Sequence, residues 1–228
     1  MVERTPQALI FDMDGTLFRT ESNIVPAFER AYARLAGEGL TRDAMPSADV
    51  LLGSLGMLLK DIWSRVLPNS DERTRLRMDE LLLEEQLALL GAGAGELYPG
   101  VDETLRKLQE EGYRLFVASN GLEPYVKGVA KALGIADRFE GLYSAGEFRT
   151  ASKVDLVRLL LDRHEVASAW MVGDRSSDVE AGSKNGLPVV GCEYAAFGVP
   201  QDELRGAEMR IRAFPELLDL LGIAETTK

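Results

Sequence analysis

Apolar residues along this chain fall into two alternating rhythms. Short, largely apolar runs at Ala8 to Phe11, Tyr113 to Ala118, Ala169 to Val172 and Leu187 to Gly191 predict buried strands. Between and after them, apolar positions recur at helical spacing over about 101–111, 124–133, 153–164, 176–185 and 214–221. A short apolar segment, Phe139 to Tyr143, and a brief strand near Met209 to Ile211 complete the set. Strand and helix alternating at this spacing predict an α/β fold: a doubly wound, mostly parallel, Rossmann-like sheet covered on both faces.

Residues 20–90 break that rhythm. Ile24, Ala27, Phe28, Ala31, Tyr32 and Leu35 line one face of a helix over 22–36, with Pro26 in its first turn. Residues 37–49 read as loop, from their glycines, Pro46 and Ser47. Further helices are expected over about 56–66, carrying Met57, Leu58, Ile62, Trp63 and Val66, and over about 71–90, after a break and N-cap at Pro68-Asn69-Ser70-Asp71. Nothing here alternates like a strand, so the expectation is an inserted all-α cap of residues 19–96 on a core made of 1–18 and 97–228. Gly91-Ala92-Gly93-Ala94-Gly95 and residues 18–22 are the candidate hinge segments.

Charge and composition narrow the partners. A formal net charge of −11 over 228 residues argues against nucleic acid or an anionic membrane surface as the main partner. It leaves room for a small anionic substrate if a metal and a few cations reverse the field locally. The single cysteine, Cys192, permits no intrachain disulfide and no cysteine-based zinc cluster. The single histidine, His164, falls at a helix end, where a surface position is expected. With no signal-peptide pattern and no apolar run of about 18 residues, the chain is expected in the cytoplasm; its oligomeric state, monomer or weak dimer, is left open by the sequence.

The candidate chemistry sits at strand ends. In a parallel sheet those ends open on one edge, where ligands bind. Asp12 and Asp14 stand just past the first strand, two positions apart, ahead of Gly15 and Thr16. Two acids so placed point to a cation and an anion that it neutralises. Turns also favour Asp and Gly, but a calcium loop of EF-hand type is excluded, because Leu17 and Asn23 occupy positions that need Gly and Glu. Ser119 and Asn120 end the second strand, Lys153 opens a helix, and Asp174 and Asp178 lie one helical turn apart. Singly, these read as turn chemistry, a solvated lysine and helix caps. Taken in order along one sheet edge, they can converge.

Asp12-Met13-Asp14-Gly15-Thr16-Leu17 resembles the first motif of the haloacid dehalogenase-like hydrolase superfamily. Ser119-Asn120, Lys153 and Gly173-Asp174-Arg175-Ser176-Ser177-Asp178 are similar to its later motifs, in the same order. The resemblance covers residues 7–17 and about 98–198, and departs from the commonest pattern at Lys153-Val154, where many members carry Lys-Pro. It implies Asp12 as nucleophile and metal ligand, and Asp14 as general acid and then base, with its backbone carbonyl on the metal. Asp174 is implied as a further ligand, and Asp178 as a ligand directly or through water. Thr16, Ser119, Asn120 and Lys153 are the implied phosphate contacts. Mg2+ suits such a set of hard oxygens.

Asp14 favours phosphoryl transfer over carbon dehalogenation, since members that expel halide lack this second acid. Phosphonate-cleaving members use a lysine on an early cap helix, and 22–36 contains none. The helical insert and the stretch Gly173–Gly198 resemble the phosphoglycolate phosphatase-like branch. The expected function is therefore an Mg-dependent phosphatase acting through an aspartyl-phosphate. Its substrate would be a small phosphorylated metabolite: phosphoglycolate, a sugar phosphate, a nucleotide or pyrophosphate. A sugar-phosphate mutase of the same superfamily is the near alternative. A phospho-aspartate signalling receiver is a distant one, being about half this length and lacking the insert. Arg19, Lys60, Arg65 and the Leu55-Gly56 backbone are candidates to meet the substrate from the cap side.

Overall fold

The computed structural model describes residues 6–55, 57, 59–195 and 202–223, with the side chains of residues 59 and 60 outside that description. Strand β1 (Ala8–Phe11) is wholly buried and pairs in parallel with β2 (Arg114–Ser119) on one side and β4 (Ala169–Gly173) on the other. β3 (Gly141–Ser144) flanks β2, while β5 (Val189–Cys192) and β6 (Met209–Ile211) extend the other edge, giving the order β3-β2-β1-β4-β5-β6. Every pairing is parallel, as the strand–helix alternation predicts.

The apolar runs are explained by burial on both sides of the sheet. Leu9 and Phe11 enter one hydrophobic cluster, while Ala8 and Ile10 enter the other. Leu115 and Val117 divide from Phe116 and Ala118 in the same way. The first cluster is closed by α5 (Val101–Glu110), α6 (Glu123–Ala132) and α10 (Glu216–Leu220), the second by α8 (Lys153–His164) and α9 (Ser176–Lys184).

Between β1 and β2 run α1 (Glu21–Gly37), α2 (Ala48–Leu52), α3 (Leu59–Val66) and α4 (Glu72–Gly91). These helices share a third cluster, which includes Phe28, Leu35, Leu51, Trp63, Met78 and Leu81. Asp71 caps α4 by accepting the Thr74 N–H at 2.8 Å. The two chain segments joining these helices to the sheet are hydrogen-bonded to each other. Arg19 N–H donates to the Glu96 carbonyl at 2.8 Å, and Tyr98 N–H to that of Leu17 at 3.0 Å.

The structure corrects several local expectations. Ala48 and Asp49, at the end of the stretch read as loop, open α2, a five-residue helix held by the buried Leu51 and too short to carry a visible period. The helix expected from about 56 begins at Leu59, and Gly56 and Leu58 lie outside the described residues. β5 starts at Val189 rather than Leu187, because Pro188 has no N–H to give the ladder. α7 (Ala145–Phe148) is a single turn capped by Ser144, which accepts the Glu147 N–H at 3.0 Å. His164 is half-buried instead of on the surface: its Nε2 lies 3.0 Å from the Tyr143 hydroxyl and its ring packs on Phe116. Among the described residues no helix is long and apolar enough to cross a membrane.

Candidate active site

The sheet edge at the ends of β1, β2 and β4 carries the candidate residues. Asp12 continues β1, its N–H donating to the Val172 carbonyl at 2.9 Å. The chain then turns sharply, with the Leu17 and Phe18 N–H groups both on the Met13 carbonyl. Gly15 makes this turn at φ +78°, and a Cβ there would come within 2.4 Å of Asp174 Oδ2. No other residue type fits both demands.

Lys153 joins distant parts of the sequence. Ser152 caps α8 by accepting the Asp155 N–H at 3.2 Å, which fixes Lys153 as the first residue of the helix. Its ammonium lies 2.9 Å from Asp12 Oδ1 and 2.7 Å from Asp178 Oδ1, and all three side chains are almost fully buried. Burial alone would drive the ammonium down, but the Asp12 and Asp178 charges outweigh it and raise it above the usual lysine range.

Asp174 follows β4, and Asp178 lies in the first turn of α9. Asp178 divides its oxygens: Oδ2 accepts the Arg175 N–H at 3.0 Å as a helix cap, and Oδ1 faces Lys153. Capping and the site chemistry therefore share one carboxylate. Gly173 leaves room for it, since a Cβ there would sit 2.2 Å from Asp178 Cγ. Burial, with the neighbouring charge of Asp12, pushes both Asp174 and Asp178 above the usual carboxylate range.

Asp12, Asp174 and Asp178 each offer an oxygen within 4.8 Å of the others. Asp174 Oδ1 takes the Thr16 hydroxyl at 3.3 Å, and Oδ2 lies 3.3 Å from Arg175 Nε while accepting no hydrogen bond. Three buried carboxylates against the Lys153 ammonium and the Arg175 guanidinium leave one negative charge uncompensated, and their hard oxygens fit a divalent cation such as Mg2+.

Asp14 stands apart from that cluster. Its Oδ1 accepts the Thr20 hydroxyl at 2.8 Å and the Tyr125 hydroxyl at 2.6 Å. Burial, helped by the Asp12 charge, pushes its pKa up to about 6 against the pull of those hydrogen bonds. Such a carboxyl can give or take a proton near neutral pH. Ser119 ends β2 with its Oγ accepting the Gly121 N–H at 3.2 Å, which leaves its own hydroxyl proton available to a ligand. Asp12, Asp14, Ser119, Asn120 and Lys153 all line one cleft, whose other wall is built by α1–α4.

Thr16 and two cap-side cations are placed differently from expectation. Thr16 turns its hydroxyl to Asp174, and its carbonyl accepts the Tyr194 hydroxyl at 2.8 Å. Arg19 pairs with Glu96 at 2.7 Å, and Arg65 donates to the Gly53 carbonyl at 3.0 Å; neither lines the cleft. The Lys60 side chain lies outside the described residues. Sequence reading missed Thr20, Tyr125 and Arg175. Tyr125 reads as one more core position on the buried face of α6, and only the fold brings its hydroxyl to Asp14.

Comparison with known proteins places this geometry in a family. Residues 6–186 match the model of the haloacid dehalogenase-like hydrolases. A phosphoglycolate phosphatase of Rhodospirillum rubrum is 30% identical over 242 aligned positions, covering 96% of this chain and 92% of that protein. A 5'-nucleotidase of Pseudomonas aeruginosa is 27% identical and covers 86% of each chain. Among solved structures, CbbY from Rhodobacter sphaeroides in complex with phosphate superposes with a TM-score of 0.80 at 24% identity, covering 93% of this chain and 96% of that one. That last likeness concerns the fold. The family match spans β1 to β4 and all four motif segments, and on it the chain belongs to the haloacid dehalogenase-like hydrolases, among the phosphatases that resemble phosphoglycolate phosphatase.

Proposed function

We propose that the protein is a magnesium-dependent phosphomonoesterase for small phosphorylated metabolites, working through a phosphoryl group carried on Asp12. The observation that supports this most is the Lys153 ammonium held between Asp12 and Asp178, with Asp174 beside them and Asp14 set apart by Tyr125 and Thr20.

The residues divide the work as follows. Lys153 keeps Asp12 oriented and offsets its charge against an incoming phosphate dianion. An Asp12 oxygen attacks phosphorus while the bond to the alcohol oxygen breaks, and protonated Asp14 gives its proton to that oxygen. Asp14, now ionised, takes a proton from water as the water attacks phosphorus. The bond to Asp12 then breaks, and inorganic phosphate leaves. The Ser119 hydroxyl and the Asn120 N–H are the donors for the non-bridging oxygens. Thr16 acts through Asp174, which it orients.

A divalent cation would be held by Asp12, Asp174 and the Asp14 backbone carbonyl, and by Asp178 through water, because both Asp178 oxygens already have partners. It would supply positive charge for the phosphoryl oxygens. Residues 19–96 act as a cap over the cleft, with the paired segments at 17–19 and 96–98 as its two connections. Metabolites of this kind are cytoplasmic, and we assign the protein to that compartment.

The test is release of inorganic phosphate across a metabolite panel, with magnesium and with chelator, for the wild type and Asp12→Asn. Metal-dependent release that vanishes in Asp12→Asn is expected. Appreciable turnover by that variant, or isomerisation of a sugar phosphate without phosphate release, would overturn the assignment.

A further inference from the structure

The cleft's two walls differ in chemistry. The sheet edge supplies the polar groups described above. The opposite wall is largely apolar, with Ile24, Leu51, Ile62, Trp63 and Leu82 from the helices and Leu122 beside them. One charged group interrupts it. Asp79, on α4, lines the cleft and is held by the Trp63 indole N–H on Oδ1, while its Oδ2 accepts no hydrogen bond from the described residues. Partial burial raises its pKa from the ordinary value, the mark of a carboxylate short of compensating charge.

Among the described lining residues the only cation is Lys153, and Asp12 and Asp178 already hold it. Arg19 and Arg65 are engaged elsewhere. A substrate whose alcohol part carried a carboxylate or second phosphate would place that anion against apolar side chains and Asp79. Like charge in a partly desolvated site is strongly unfavourable.

The geometry points to a substrate class: phosphate monoesters with a mainly apolar alcohol part ending in a hydrogen-bond donor or ammonium, which Asp79 receives. Asp79 is thus a specificity residue. The inference rests on the phosphatase reading above, and it separates this protein from a phosphatase built for phosphoglycolate, whose leaving group is anionic.

The experiment uses benzyl phosphate and its 4-aminomethyl and 4-carboxy derivatives, with phosphoglycolate as a fourth substrate. The benzyl esters share one leaving chemistry and differ in remote charge. In the wild type, kcat/KM is expected to fall by roughly tenfold or more from the aminomethyl to the carboxy ester, the order of one charge pair in a partly buried site, with phosphoglycolate at the low end. Asp79→Asn, which keeps an acceptor for Trp63, should narrow the aminomethyl-to-carboxy ratio at least roughly fivefold. Equal rates for the two charged esters, a preference for phosphoglycolate, or a ratio unmoved by Asp79→Asn would overturn the inference while leaving the phosphatase reading intact. No metal-dependent turnover of these four or of the metabolite panel would overturn both.

Discussion

The Tyr125 hydroxyl donates to Asp14 Oδ1 at 2.6 Å, the same oxygen that takes the Thr20 hydroxyl at 2.8 Å. Two donors on one oxygen fix the plane of a carboxyl that lines the cleft. Tyr125 stands 111 positions further along the chain, on a helix the sheet must fold to deliver.

Tyr125→Phe removes that hydroxyl and keeps the ring in the core. Its kcat is expected to fall by about 10–100-fold, since a proton-transfer group has lost its orientation. Inhibition by inorganic phosphate should stay within about threefold of the wild type, because ground-state contacts remain. Steady-state kinetics with product inhibition separates the two effects, and a loss of phosphate affinity without loss of kcat would refute the positioning role.

Lys153→Met strips the ammonium from between Asp12 and Asp178, which lie 2.9 and 2.7 Å from it. Breaking a buried pair in this way costs about 3–5 kcal/mol, measurable as a lower urea midpoint. Magnesium should then stabilise the variant more than the wild type, because the cation takes over part of the lost compensation. Asp174→Asn should reduce the magnesium effect in both backgrounds. Urea midpoints indifferent to magnesium in every variant would argue against a cation among these carboxylates.

Away from the site, Arg114 holds Glu140 through Nε at 2.7 Å and Nη2 at 2.6 Å, with His164 Nδ1 at 3.3 Å. The Arg114 hydrogen bonds outweigh partial burial and hold the Glu140 carboxyl below the usual glutamate range. A carboxyl depressed on folding adds stability above its unfolded pKa and loses it as pH falls through the lower folded value. Glu140→Gln should therefore lower Tm at pH 7, by the equivalent of no more than about 1 kcal/mol for so exposed a pair. The gap to the wild type should close under acid conditions. A gap that widened on acidification would contradict the pairing.

The sheet was legible because both of its faces are buried. Solid runs such as Ala8–Phe11 have no other economical reading, and polar residues past their ends mark the edge where ligands collect. The acids at positions 12, 14, 174 and 178 could be found because strand ends are local features. Tyr125 and Thr20 could not, since a hydroxyl on a buried helix face looks like core until its partner is brought to it. Lys153 read singly as a solvated first-turn residue, and only the contact with Asp12 and Asp178 explains its burial. α2 escaped because a five-residue helix shows no period, and Asp79 because the cleft it lines is assembled from four helices and the sheet edge.

The most direct measurement is to quench the enzyme during turnover, digest it and locate the transient phosphoryl group by mass spectrometry. The group should lie on the peptide bearing Asp12, build up when Asp14→Asn slows its hydrolysis, and be missing from Asp12→Asn. A phosphoryl group on any other residue, or full turnover by Asp12→Asn, would contradict the account.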